Sequence, residues 1–281
     1  MSFKLLYLKK LIFRIFNLIF LYIIIIGVIS CENVFEYSPY SGHVQGKDKD
    51  TRLSNLEKLS IQEKATSENK TFTFALISDS HTFYNDLDDA VLAINENENI
   101  EFVIHGGDLT DGGMIKEYEI FHNIVSDLNY PYFTVIGNHD CLANGLGIYK
   151  NMYGVDNYSF TYKGCKFIFF NNIIWELGYI EPDFFWLQSE LEDTTSYEQV
   201  FVIAHIPPWS DQFTPVYSKL FEHFILTYNV SLSIHGHHHD HYFGCFFDDE
   251  KEYLVIGAVD KRYYCTITIF QDSISLDRIH Y

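Results

Sequence analysis

The sequence predicts an α/β fold, with one domain built on two packed sheets from about residue 71 onward. Three observations carry that expectation. Strand-like apolar runs alternate with helical patterns after Thr71, in a βαβαβ rhythm that implies parallel strands joined by crossover helices. Short polar motifs stand just past the carboxyl ends of these runs, where open α/β sheets gather their ligands. The last part of the chain is a succession of short strand-like runs, enough for a second sheet.

In order, Thr71–Ser78 (TFTFALIS) reads as a strand ended by Asp79-Ser80-His81. A helical pattern follows, with Leu87, Ala90, Val91 and Ile94 on one face. Phe102–His105 is the second strand, closed by Gly106-Gly107-Asp108, and Ile115–Leu128 the second helix. Tyr132–Ile136 is the third strand, ending in Gly137-Asn138-His139-Asp140. Tyr158–Tyr162 and Lys166–Asn171 form a hairpin around Lys163-Gly164-Cys165. Helices are expected at Asp183–Leu191 and Val216–Tyr228, and strands at Gln199–His205 and Ser231–His235. His241–Phe247, Tyr253–Ile256, Cys265–Phe270 and Ser273–Arg278 complete the pattern as strands expected to be antiparallel.

Composition supports a packed interior. Apolar residues make up 47% of 281, with 25 Phe and 21 Tyr, types that suit pleated, half-buried surfaces. Disorder is excluded for most of the chain. The net charge of −19 repels polyphosphate backbones, so nucleic-acid binding is not expected, whereas divalent cations are attracted.

Lys4, Lys9, Lys10 and Arg14 precede an apolar run from Ile15 to Ile29, and Ser30-Cys31 closes it. The run is shorter than the ~20 residues a spanning helix needs and has signal-peptide proportions. Val28-Ile29-Ser30-Cys31 resembles a bacterial lipobox, which implies cleavage after residue 30, a lipid on Cys31, membrane anchoring and an envelope location. An uncleaved signal anchor is the other reading, and the small residue before the cysteine favours the first. Residues 31–70, polar and without a sustained apolar period, read as a lipidated N-terminus and flexible tether, with a short helix around Leu53–Ile61. The folded domain is then 71–281. Cys141, Cys165, Cys245 and Cys265 match no compact disulfide framework and include no CxxC spacing.

The chemistry sits in five polar blocks: Asp79-x-His81, Gly107-Asp108-x-x-Asp111, Gly137-Asn138-His139-Asp140, Ala204-His205 and Gly236-His237-x-His239. Carboxylate, amide and imidazole donors together suit borderline ions such as Zn, Mn and Fe. A carboxylate can bridge two such ions, which lower the pKa of water to make a nucleophile and stabilise charge on phosphoryl oxygens. Each residue has a plainer use taken singly: Asp79 as a helix cap, Asp108 or Asp111 in a turn, His205 as a strand-end histidine.

The ordered set resembles the signature of the calcineurin-like metallophosphoesterases, D-x-H, G-D, G-N-H-D/E, H and G-H-x-H, with every block present from Asp79 to His239. The resemblance implies a four-layer α-β-β-α sandwich of two mixed sheets flanked by helices. It implies a phosphomonoesterase or phosphodiesterase with two divalent or trivalent metal ions (Mn, Fe or Zn) and a phosphate-ester substrate. By resemblance, Asp79, His81 and His239 hold one metal, Asn138, His205 and His237 the other, and Asp108 bridges them. His139 matches the general acid and Asp111 the carboxylate that orients it. The glycines before Asp108, Asn138 and His237 let the backbone turn at the strand ends. His105 and His235, at the motif edges, are candidates for a supporting role. No long insertion separates the blocks, so no large cap is expected; Cys141–Asn157 and Pro207–Pro215 could form rims, with Tyr84 or Trp209 offering an aromatic face. The competing function is a non-catalytic metal-binding or ligand-binding envelope lipoprotein on the same scaffold.

Overall fold

The computed structural model describes residues 9–10, 12–22, 50–66, 70–192, 196–247, 250–270 and 273–281. The chain divides into two units, Met1–Ser41 and Gly42–Tyr281. In the first, the described residues are helical, and no described helix is long and apolar enough to cross a membrane. Cys31 and the cleavage site expected before it lie outside the described residues.

The second unit holds two mixed sheets. One comprises β1 (Phe72–Ile77), β2 (Ile100–His105), β3 (Tyr132–Thr134), β10 (Tyr263–Ile269) and β11 (Ile274–His280), in the order β11-β10-β1-β2-β3. The other comprises β4 (Tyr158–Tyr162), β5 (Cys165–Phe169), β6 (Gln199–Ile203), β7 (Leu232–His235), β8 (Tyr242–Cys245) and β9 (Glu252–Val255), in the order β4-β5-β6-β7-β9-β8. β1, β2 and β3 run parallel, as do β5, β6, β7 and β9. The helices are α1 (Thr51–Ala65), α2 (Tyr84–Asn95), α3 (Ile115–Val125), α4 (Gly145–Tyr153), α5 (Phe184–Glu192) and α6 (Pro215–Thr227).

Side-chain alternation shows why the layers stack as they do. In β1, Phe72, Phe74 and Leu76 enter one buried cluster while Ala75 and Ile77 enter another. In β6, Phe201 and Ile203 join the first and Val200 and Val202 the second. Strands so buried on both faces must be covered twice, by the other sheet and by helices. Phe74 stacks on Phe102 of the neighbouring strand at 5.1 Å and meets Phe167 of the opposite sheet edge-on at 5.4 Å. On the helical side, Leu87, Ala90, Val91 and Ile94 of α2 are all buried, the stripe read from the sequence.

Two expectations change. The late strands are not uniformly antiparallel: β8 and β9 pair antiparallel, but β9 slots between β8 and β7 and runs parallel to β7. Nothing in an apolar run specifies which neighbour it will pair with. Nor is the whole of 31–70 a loose arm, because α1 docks on the domain. Asn55 Nδ2 donates to the carbonyl of Tyr132 in the edge strand β3 at 2.8 Å, and Leu59 is buried with the inter-sheet core. Thr51 Oγ1 donates to Met152 O, and Glu63 accepts the main-chain N–H of Lys163. The helix thereby occupies bonding groups that an open sheet edge would leave exposed.

Candidate metal centre

Five strands deliver the motif residues to one place. Asp79 and His81 follow β1, Asp108 and Asp111 follow β2, Asn138 and His139 follow β3, and His205 follows β6; His237 and His239 follow β7. Five of them hold backbone angles in the left-handed region: Asp79 (φ 53°), His81 (43°), Asp108 (55°), His237 (73°) and His239 (58°). Such conformations are uncommon for side-chain-bearing residues and gather where function demands a direction. Here they turn consecutive strand-end side chains towards a common point. Gly107 adopts φ +99°, while Gly137 is required for space: a Cβ there would run into the backbone and carboxylate of Asp108.

The side chains sort into two groups that share Asp108. On one side His81 Nε2 lies 3.1 Å from His239 Nε2 and 3.6 Å from Asp108 Oδ2, and His239 Nε2 is 3.6 Å from Asp79 Oδ1. On the other, His205 Nε2 is 3.2 Å from the same Asp108 Oδ2, and His237 Nδ1 is 3.0 Å from Asn138 Oδ1. Asp79–His81–His239 and Asp108–His205–His237 each bring their donor atoms close enough to hold one ion. All nine residues singled out from the sequence therefore meet in one site. Asp111 and His139 flank it, with His81, in a third cluster.

Electrostatics show what the cluster lacks. Burial pushes the Asp79 carboxyl up to about 7, with Asp108 adding to the effect against the opposing pull of His205. Burial alone would drive His205 down, but the Asp108 carboxylate outweighs it and lifts the imidazole to about 9. Asp108 is held below the usual carboxylate range, because His205 overcomes its desolvation. Burial, with His205 nearby, pushes His237 down to about 3, and burial likewise lowers His81. Carboxyl and imidazole groups thus crowd one dry place and compete there for the same protons.

The donor chemistry fits metal ions. His205 Nδ1 bonds Gly106 O at 2.7 Å, so Nδ1 carries a hydrogen and Nε2 is the nitrogen turned to Asp108 Oδ2, where a cation would replace its proton. Imidazole ligands are commonly aimed this way, by the bond their other nitrogen donates. The mix of carboxylate, imidazole and amide oxygen matches borderline divalent ions.

His139 stands apart from the buried group. Its Nδ1 is 2.7 Å from the main-chain carbonyl of Asp111, so that nitrogen carries hydrogen and Nε2 is left for chemistry. Burial works against its protonation, but Asp108, the Asp111 carbonyl and the Asp111 carboxylate together raise its pKa. The Asp111 carboxylate itself is 3.7 Å from His139 Nδ1 and 3.5 Å from His81 Nδ1. The short bond to His139 comes from the backbone carbonyl, where the sequence had suggested the carboxylate.

Sequence reasoning passed over Asp140. Its buried carboxylate accepts the N–H groups of Leu109, Thr110 and Gly137 and the Thr110 hydroxyl, at 2.9–3.1 Å, and so clamps the loop behind Asp108. The spacing Asn138-His139-Asp140 contained that signal, since Asp140 closes the same block. His105 proves to be a support: Nε2 meets Ser80 Oγ at 2.6 Å and Nδ1 accepts the N–H of Gly107 at 3.2 Å, joining two ligand loops. The expected Gly-rich rim at Cys141–Asn157 is instead mostly the packed helix α4, with Ile148, Tyr149, Met152 and Tyr153 buried. Trp209 stacks on Phe246 at 4.1 Å, and Tyr84 is half-buried.

Two mixed sheets between helical layers, with a histidine and carboxylate cluster at the strand ends, define a metallophosphoesterase-type scaffold. Residues 72–241 match the family model for calcineurin-like phosphoesterases, more than half the chain, and the protein belongs to that family. A protein described as a probable cyclic nucleotide phosphodiesterase from Colwellia psychrerythraea is 30% identical over 96 residues. That match spans 29% of this chain and 36% of the relative's length. Among solved structures, a dimetal phosphatase from Danio rerio superposes with a TM-score of 0.61 at 14% identity, over 74% of this chain and 96% of that one. GAP50, the anchor in the inner membrane complex of Plasmodium, gives 0.57 at 16% identity, over 75% and 84%. At such identities these structures establish the shared fold.

Proposed function

We propose that the protein hydrolyses phosphate esters at a two-metal centre, with His139 as the general acid. The observation that carries this reading is Asp108, whose one carboxylate faces both histidine groups. Asp79, His81 and His239 would hold one ion and Asn138, His205 and His237 the other, with Asp108 between them. When bound, the ions would bind phosphoryl oxygens, acidify a water and stabilise the charge of the transition state.

The chain's own groups supply the rest. The Asp111 carbonyl fixes His139 with Nε2 outward, and the neighbouring acids favour its protonated form, so it can give a proton to the departing alkoxide. Asp108 Oδ1 accepts the main-chain N–H of His139 at 2.9 Å, which ties the acid to the bridging carboxylate. Mn, Fe and Zn all suit the donor set. Monoester and diester substrates use the same parts.

The test is metal analysis of the purified protein together with hydrolysis of p-nitrophenyl phosphate and bis-p-nitrophenyl phosphate under added Mn. Close to two ions per chain with turnover supports the reading, and the ratio of the two rates assigns monoester or diester preference. No bound metal under any loading condition overturns it.

We also propose export and anchoring through a lipid on Cys31, supported by the basic-then-apolar N-terminus and its Ser30-Cys31 ending. Mass spectrometry of the membrane-extracted protein should find an acylated N-terminal Cys31. An intact N-terminus at Met1 would refute cleavage.

A further inference from the structure

Glu176 carries no motif, yet its carboxylate touches the site. Oε1 accepts a hydrogen bond from Asn138 Nδ2 at 3.3 Å, and Oε2 is buried with no hydrogen-bond partner. The residue is held in place by its own turn. Gly178 N–H donates to Trp175 O at 3.0 Å and Tyr179 N–H to Ile174 O at 2.8 Å. The same connection is laced to the loop after β6, since Asn172 Nδ2 donates to Ile206 O and Ile206 N–H to Asn172 Oδ1, at 2.7 and 3.1 Å. A carboxylate has therefore been built against the one candidate ligand that is an amide.

An asparagine amide can present its oxygen or its NH2 to a cation, and only the oxygen binds one. The two ends are nearly the same size, so packing discriminates poorly between them. An ionised carboxylate is acceptor-only, so it bonds Nδ2 and repels Oδ1. We propose that Glu176 is a positioning residue that locks the Asn138 amide with Oδ1 towards His237 and the second ion. This inference rests on the two-metal reading above. Asn138 Oδ1 already lies 3.0 Å from His237 Nδ1, on the side the lock requires. No chemistry on the substrate is asked of Glu176.

The test reads metal binding directly. Full-length wild type, Glu176→Gln, Asn138→Asp and the double variant are loaded with Mn, and ion stoichiometry and affinity are measured by chelator competition. Glutamine keeps the shape of Glu176 but can pair with either end of the amide, so the lock is lost. Glu176→Gln should weaken one of the two ions by about 10- to 100-fold, the range for partners that orient ligands, and leave the other unchanged. In the Asn138→Asp background both ends of residue 138 are oxygens, so the same change should cost nothing there or improve binding. Wild-type affinity at both sites in Glu176→Gln would overturn the proposal, as would equal losses in both backgrounds. A wild type that binds no second ion would instead sink the two-metal reading itself, before any variant is compared.

Discussion

The main-chain N–H of His139 donates to Asp108 Oδ1 at 2.9 Å, while Asp108 Oδ2 stands 3.2 Å from His205 Nε2. One carboxylate thus serves the His139 backbone with one oxygen and the histidine cluster with the other. Asp108→Asn cannot do both. An amide must set its NH2 against the His139 N–H or against the histidines, and it removes the shared negative charge. The variant should lose both ions together, and turnover should fall by at least about 100-fold as their charge stabilisation goes. Elemental analysis beside steady-state rates checks this; two ions per chain in the variant would refute the bridging role.

His139→Ala should separate substrates by leaving group. The Asp111 carbonyl holds Nδ1, so only Nε2 can deliver a proton, and alanine removes it. Esters of poorly acidic alcohols should slow by about 10²–10⁴-fold, the usual worth of general acid catalysis, while p-nitrophenyl esters change far less. Equal losses on both classes would show that His139 acts by another route.

The motif residues were legible because their chemistry restricts the residue type: only certain side chains can surround an ion, and their order along the chain survives in the sequence. Strand order was less so. β9 pairs parallel with β7 on one side and antiparallel with β8 on the other, a choice of neighbours that an apolar run does not encode. Asp140 stood in its motif block, but its role was hidden because it acts on backbone N–H groups, which the residue type alone does not reveal. Glu176 was hidden because the loop that carries it meets Asn138 only in the fold.

Acid should weaken the fold through His235. Its Nδ1 bonds Ala204 O at 2.7 Å and its Nε2 meets Ser233 Oγ at 2.8 Å; burial pushes its pKa down to about 3. In the unfolded chain the group titrates near 6.5. Between these values the unfolded state binds the proton that the folded state refuses. Its contribution is intact above pH 6.5 and declines as pH falls towards 3, by up to about 1.4 kcal/mol per unit. Urea midpoints of metal-free protein at several pH values, compared with His235→Asn, isolate the term. The variant should show the shallower slope, and identical slopes would remove His235 from the account.

The folded body should extend back to α1, because that helix contributes to both sheets. Leu59 is 2% exposed among Phe72, Tyr162 and the other inter-sheet residues, and Asn55 satisfies the Tyr132 carbonyl on the β3 edge. Deleting a buried leucine's side chain removes its transfer energy and leaves a cavity, so Leu59→Ala should cost about 2–5 kcal/mol. Exposed Leu53, on the same helix, is the control and should change stability by less than about 0.5 kcal/mol on substitution by serine. A chain begun at Thr71 should be less stable than one begun at Asp50 by at least the Leu59 cost, since it loses that side chain and also the Asn55 bond to the Tyr132 carbonyl. Equal denaturation midpoints for the two lengths would mean that α1 rests on the sheets without stabilising them.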